Sequence, residues 1–467
     1  MLSVFAFLLL FADETGESLD SALKRFVQLF AVVEQNAADK PDIGQLIDGG
    51  AIPGMLRRLD PHSVFFNPGH FEQLKELERS TRKGFGSIVS VLPGRVIVLQ
   101  TLPGTPSAKS GLSPGDEIIA INGIRLDLLE PEQLIQLLTE ARQHQIRIDV
   151  RRPGSARLLP LVLTPEDVEA SSVDRAFLLQ PGVGYVRATT FDVQTGKQIR
   201  DAIERLGGAQ LKGLVLDLRD NPGGVMQAAV ETASLFLSPG QKVVSVRGRS
   251  MGGDEATVAQ DAKPYTFPVS VLINGKSASA SEIVAGAIED HKRGKILGEQ
   301  SFGKGLVQSV FPLSHGSGLA LTTAYYYTPA GRSIQRPLQG TLERSTSSGL
   351  KNITPGEVVY PESMSRLRSV LDASGAVTTF ATDWLQRTRT PITDAFDVSN
   401  ALLDEFQSAM SARNIRPGVA EWSADREWIR NRLKQEIFNL TLGVAKGDEV
   451  EAARDPVVKA AVRALGL

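Results

Sequence analysis

The 467-residue chain contains no cysteine. That excludes disulfides, a thiolate nucleophile and cysteine-bound zinc, and it leaves the redox compartment unreadable from thiols. An excess of one charge is lacking too, since 51 Lys and Arg face 53 Asp and Glu. Without a single-sign field, neither nucleic acid nor an acidic membrane is expected as the main partner. Long apolar runs are also missing. The best candidate, Leu2 to Ala12, falls short of the about 20 residues that a spanning helix needs. It suits the apolar segment of a secretory signal, although the basic start is missing. Its alternative is a buried first helix or strand. Periplasmic or other extracytoplasmic placement, with an incomplete leader, is therefore the expectation.

A chain of this length predicts about three domains. Apolar residues at Leu19, Leu23, Phe26, Val27, Phe30 and Val33 recur at helical spacing, so residues 13–75 read as a helical N-terminal region. From about residue 76 to 165 short β-branched runs alternate with Gly and Pro turns, joined by a helix from Pro131 to Arg142 and a strand near Ile146. Between 166 and 340 apolar strands alternate with helices, which argues for an α/β core. The polar, glycine-containing stretch Ser250 to Pro264 reads as a mobile surface loop. Residues 341–467 read as mainly helical.

Leu272 to Glu282, LINGKSASASE, is the most informative segment. An apolar strand stops at Asn-Gly, passes through small residues and opens a helix, a turn that can hold a hydroxyl at a helix N-terminus. Ser279 with Glu282 three residues on is also an ordinary capping box, so a catalytic reading requires a base. His291 lies at the far end of the same helix, on the order of 18 Å away by helical rise. His62, His70, His144 and His315 lie in turn-like or polar settings, and no Gly-x-Ser-x-Gly elbow accompanies them.

Lys304, in Phe302-Gly-Lys-Gly-Leu-Val-Gln308, is the better candidate. A free lysine is neutral only about 0.04% of the time at pH 7. Burial worth roughly 4 kcal/mol against the ammonium would make it a base. Phe302, Leu306 and Val307 offer apolar walls, and Gln308 can orient the amine without supplying a charge. The strand ending LDLRDNPGG, residues 216–224, bares backbone N–H groups at its glycines, a way to build an oxyanion hole.

Gly298 to Gly305 is one residue short of a phosphate-binding loop. The Ser or Thr that would ligate magnesium is absent, and Gly275-Lys276-Ser277 has Ser270 in place of the leading glycine. No nucleotide, cofactor or metal is expected.

LDLRDNPGG, NGKSASASEIVAGAIED and GEQSFGKGLVQS, in this order, resemble the carboxyl-terminal processing peptidases, serine peptidases of the tail-specific type. Leu59-Asp-Pro-His-Ser63, GFGSIV, SGLSPGDEIIAING and TPAGRSIQ (328–335) extend the likeness over roughly Gln45 to Gln335. The resemblance implies an α/β, ClpP/crotonase-like peptidase core with an inserted PDZ domain between helical N- and C-terminal regions. It implies Ser279 as nucleophile, Lys304 as general base and Gln308 as its support. Ala280, with Gly223 or Gly224, would form the oxyanion hole. It further implies protein or peptide substrates gripped by their C-terminus at Gly84, Phe85, Gly86, Ser87 and Ile88, with Leu134 and Leu138 lining the side-chain pocket. Oligomerisation through the terminal helical regions is a further expectation. The chain departs from the family in inserting Pro337 to Lys351 before Ile353. The rival readings are an inactive PDZ scaffold on a peptidase-like body and a crotonase-like acyl-CoA enzyme, which would not need Lys304.

Overall fold

The computed structural model describes residues 18–77, 81–92, 95–153, 155, 157–169, 171–249, 253–336, 352–388 and 391–467. The Leu2 to Ala12 run and the Pro337 to Lys351 insertion lie outside them.

The central sheet has the order Val173–Gln180, Val183–Ala188, Gly213–Asp217, Val269–Ile273, Lys295–Gly298 and Glu357–Val358. Its first pair is antiparallel and the rest run parallel. Period-two alternation divides its side chains between two cores. Leu214, Leu216, Val271 and Ile273 pack under the helices Thr195–Leu206, Met226–Ser234 and Ala280–Asp290. Val215, Leu272 and Leu297 meet Val457, Val458 and Ala461 of the C-terminal helix Pro456–Ala464. The expected limit at residue 340 therefore does not bound this sheet, which takes its last strand from Glu357–Val358 and one covering layer from the end of the chain. Asp455 caps that last helix and also accepts Nη1 of Arg219 at 2.7 Å, tying it to the LDLRD strand end.

A second, antiparallel sheet joins Val64–Phe66, Gly318–Tyr327, Lys242–Arg247 and Asp254–Thr257, with Leu306–Pro312 paired on Gly318–Tyr327. Within the loop expected over Ser250 to Pro264, residues 258–264 are irregular as expected and 250–252 lie outside the described residues, but its middle is corrected by the strand Asp254–Thr257. These polar residues are ordered by their partner strand, which their own pattern does not reveal.

Residues 87–163 form the inserted domain, with an edge strand Ser87–Leu92 and the helix Pro131–Ala141. A two-stranded ribbon, Thr81–Gly84 paired with Glu166–Glu169, closes its base. The N-terminal helix Leu19–Asn36 buries none of its residues, and Leu19, Val27 and Leu29 are more than 60% exposed. The helices Arg366–Ala373, Ala376–Arg387, Asn400–Ala412 and Val419–Thr441 bury Phe380, Phe406, Trp428 and Ile437 among themselves. Among the described residues no helix is long and apolar enough to cross a membrane.

Candidate active site

Two parallel strands, Gly213–Asp217 and Val269–Ile273, end on the same edge of the sheet and release the LRDNPGG and NGKSASA turns side by side. In open α/β sheets, ligands bind at this carboxyl edge. Asn221, fully buried, locks the turns together. Its Nδ2 donates to the Ala188 carbonyl at 2.8 Å, and its own carbonyl accepts the Ala278 amide at 3.0 Å and the Ser281 hydroxyl at 3.0 Å. Ser277 donates to the Leu218 carbonyl at 2.7 Å and accepts the Asn274 amide at 2.9 Å. Both flanking serines are thus fully buried and used as struts, which leaves the half-buried Ser279 on the cleft.

Ser279 has φ 53° and ψ −111°, a conformation that costs a non-glycine residue about 1–3 kcal/mol. Surrounding bonds must therefore over-determine it, and Glu282 supplies them. One carboxylate oxygen of Glu282, Oε2, accepts the amides of Ser279 at 2.9 Å and Lys304 at 2.8 Å; Oε1 accepts the Gly303 amide at 2.7 Å and the Ser301 hydroxyl. The main chains of Ser279 and Lys304 are therefore fastened to one atom. The capping box is real but lopsided. The Ser279 hydroxyl lies near the Glu282 amide without making a capping hydrogen bond, and that amide donates to the Ser279 carbonyl at 2.9 Å. Burial pushes the Glu282 carboxyl up, against the hydrogen bonds that favour its charge. Glu282→Ala would strand the amides and hydroxyl it serves, and since each buried donor left unsatisfied costs about 1–3 kcal/mol, a loss of about 3 kcal/mol or more in denaturant unfolding is expected.

Ser279, Lys304, Gln308, Gly223 and Gly224 line one cleft of about 820 Å³, whose apolar wall includes Phe191, Val225, Met226, Leu306, Val307 and Tyr326. Lys304 Nζ donates to Gln308 Oε1 at 3.0 Å. Burial pulls the Lys304 amine below its ordinary range, while the Asp60 carboxylate opposes that pull. Sequence reasoning missed Asp60. It also misplaced Phe302, which is 44% exposed and absent from the lining of this cleft. Gln335, in TPAGRSIQ, was missed as well: it accepts the Gly305 amide at 2.9 Å.

The two candidate glycines differ in their hydrogen bonding. The Gly223 amide donates to Asn221 Oδ1 at 2.9 Å, an Asx turn, whereas the amides of Gly224 and Ala280 have no partner among the described residues. A Cβ on Gly224 would lie 2.0 Å from the Phe191 carbonyl oxygen, so only glycine fits there.

In the inserted domain, Gly84, Phe85, Gly86 and Ser87 line a cavity of about 260 Å³ with Val89, Leu138 and Arg142. The adjoining strand Ser87–Leu92 is an edge strand, open to a further strand. Gly86, at φ 71°, accepts the Leu102 amide at 2.8 Å, and a Cβ there would strike Thr105 at 2.3 Å. Gly84 belongs to the ribbon, paired with Glu166. Ile88 is 39% exposed and absent from the cavity wall, and Leu134 is buried in the domain core, so neither lines the pocket.

A family model for peptidase family S41 matches residues 182–342, and a PDZ domain model matches 97–152. The carboxy-terminal-processing protease of Bartonella bacilliformis is 36% identical over 324 residues, spanning 67% of this chain and 72% of that protein. Carboxyl-terminal-processing peptidase 2, chloroplastic, of Arabidopsis thaliana is 35% identical over 300 residues, 61% of this chain and 58% of that one. Among solved structures, a photosystem II D1 C-terminal processing protease is 29% identical, covering 71% of this chain and 86% of its own, with a TM-score of 0.42. The two family models and the Bartonella relative define a serine-type peptidase that carries a PDZ domain. More narrowly, the chain belongs to the carboxy-terminal processing proteases of peptidase family S41.

Proposed function

We propose that the protein cleaves polypeptides through an acyl-enzyme on Ser279, with Lys304 as the general base. The observation that carries this reading is the shared Glu282 oxygen, which fastens the main chains of Ser279 and Lys304 beside one cleft. The Ser279 hydroxyl proton passes to the neutral Lys304 amine as the oxygen attacks the substrate carbonyl carbon. Oxyanion charge falls between the open amides of Ala280 and Gly224, at the positive end of the helix Ala280–Asp290. The Lys304 ammonium then returns its proton to the leaving amine, and water, deprotonated by the same lysine, releases the acyl group.

Substrate tails dock at the PDZ domain. The Phe85-Gly86-Ser87 turn presents backbone amides to the terminal carboxylate, the edge strand pairs with the tail, and the cavity by Val89 and Leu138 takes an apolar side chain. Substrates are accordingly proteins with an exposed, apolar C-terminus, met outside the cytoplasm. The uncovered apolar side of Leu19–Asn36 is a surface for self-association.

A serine-reactive phosphonate followed by peptide mapping tests the assignment. One adduct, on the peptide bearing Ser279, is expected, absent in Ser279→Ala and retained in Ser277→Ala and Ser281→Ala. An adduct on Ser277 or Ser281 would move the nucleophile.

A further inference from the structure

We propose that the turn from Asp60 to Ser63, in the N-terminal segment, is the device that aims the general base, with Asp60 as a positioning residue. The inference rests on the Ser/Lys reading above and adds a part that none of the catalytic motifs contains.

Gln308 can support Lys304 only one way round. Its carboxamide has an acceptor end and a donor end, and a rotation by half a turn would bring N–H groups against the lysine amine. The His62 carbonyl decides the matter. As a pure acceptor it takes Gln308 Nε2 at 2.7 Å, which leaves Oε1 to accept from Lys304 Nζ at 3.0 Å. A neutral amine has two N–H groups and one lone pair. With an N–H committed to Gln308, the lone pair is left for the serine proton.

The carbonyl is held in turn by Asp60, which is only 4% exposed. Its Oδ1 accepts the amides of His62 at 2.7 Å and Ser63 at 2.8 Å, and its Oδ2 accepts the Ser63 hydroxyl at 2.7 Å. The Ser63 oxygen then accepts the Thr322 amide at 3.1 Å. Thr322 is the residue paired with Gln308 across the antiparallel ladder. The turn is thus pinned to the strand beside the one it orients, and the loop of contacts closes. Asp60 has a second reach, since its carboxylate acts on the Lys304 charge. The other titratable groups on elements packed around the amine are His62 of the turn, Glu282 of the nucleophile's helix, and Asp192 and Tyr326 on the cleft wall.

Two substitutions separate these roles on the full chain with a short fluorogenic peptide. Asp60→Asn keeps an acceptor for both amides and removes the charge. Its acid-side inflection of kcat/KM is expected at lower pH than wild type, because the ammonium loses its neighbouring carboxylate. Ser63→Ala keeps the charge and cuts the pin to Thr322. A fall in kcat on the order of 10²-fold is expected from the displaced Gln308, with KM and the inflection unchanged. Circular dichroism checks folding, and should Asp60→Asn not fold, Ser63→Ala decides alone. An unmoved inflection in folded Asp60→Asn, or wild-type kcat in Ser63→Ala, overturns the proposal. Cleavage that survives in Ser279→Ala or Lys304→Ala would instead bring down the mechanism beneath it.

Discussion

Lys304→Met should lower kcat on the order of 10⁶-fold, the loss seen when a serine enzyme loses its base, and should leave the protein at least as stable as wild type at neutral pH. Methionine fills a similar volume without a charge to desolvate. Burial holds the Lys304 amine below its ordinary value even against Asp60. From that lowered value up to the unfolded lysine value of about 10.4, the unfolded chain binds more protons, so wild-type stability rises with pH. The variant lacks this contribution. Its stability advantage should therefore be largest near neutrality and fade as pH climbs toward 10.4, which urea titrations across that range would read. A stability difference from wild type that stays constant between neutrality and about pH 10.4 would show that the amine is not held below its ordinary value, and the general-base assignment would fall with it. The same lowered value requires wild-type activity to rise with pH through it.

The second large effect concerns the PDZ domain. Phe85→Asp places a carboxylate in the turn proposed to receive a tail carboxylate, lining the same cavity as Gly86 and Ser87. Cleavage of a protein substrate with an exposed apolar C-terminus should fall on the order of 10²-fold, the equivalent of about 2.7 kcal/mol of lost recognition. Short peptides that reach the catalytic cleft directly should be cut at near the wild-type rate. Equal losses on both would mean that the domain serves the fold and not the tail.

How much of this was legible in the chain depends on how far each contact reaches. Ser279, Lys304 and Gln308 stood out because strand ends, small residues and glycines mark local geometry, and the structure brings all three to one cleft. Glu282 was legible as a helix cap and no further, since its other partners, Ser301, Gly303 and Lys304, arrive from a separate loop. The proposed preference for Gly224 over Gly223 rests on the Asn221 side chain, whose bond to the Gly223 amide composition does not express. Asp60 read only as part of a matching motif, because the Gln308 that it serves through His62 lies far along the chain. Phe302 was misjudged for a related reason: apolar character says that a side chain can wall a site, while the loop path decides whether it does.

The bond from Gln308 to His62 spans 246 positions of sequence, and the one from Thr322 to Ser63 spans 259. Contacts of such separation form late, after local helices and hairpins are in place. A partly folded chain can therefore hold Ser279 and Lys304 on their shared Glu282 oxygen while Gln308 still lacks the His62 carbonyl that orients it. On the proposed reading, the aiming of the lysine is thus the last part of the site to be completed, when the N-terminal turn docks on the paired strands Leu306–Pro312 and Gly318–Tyr327.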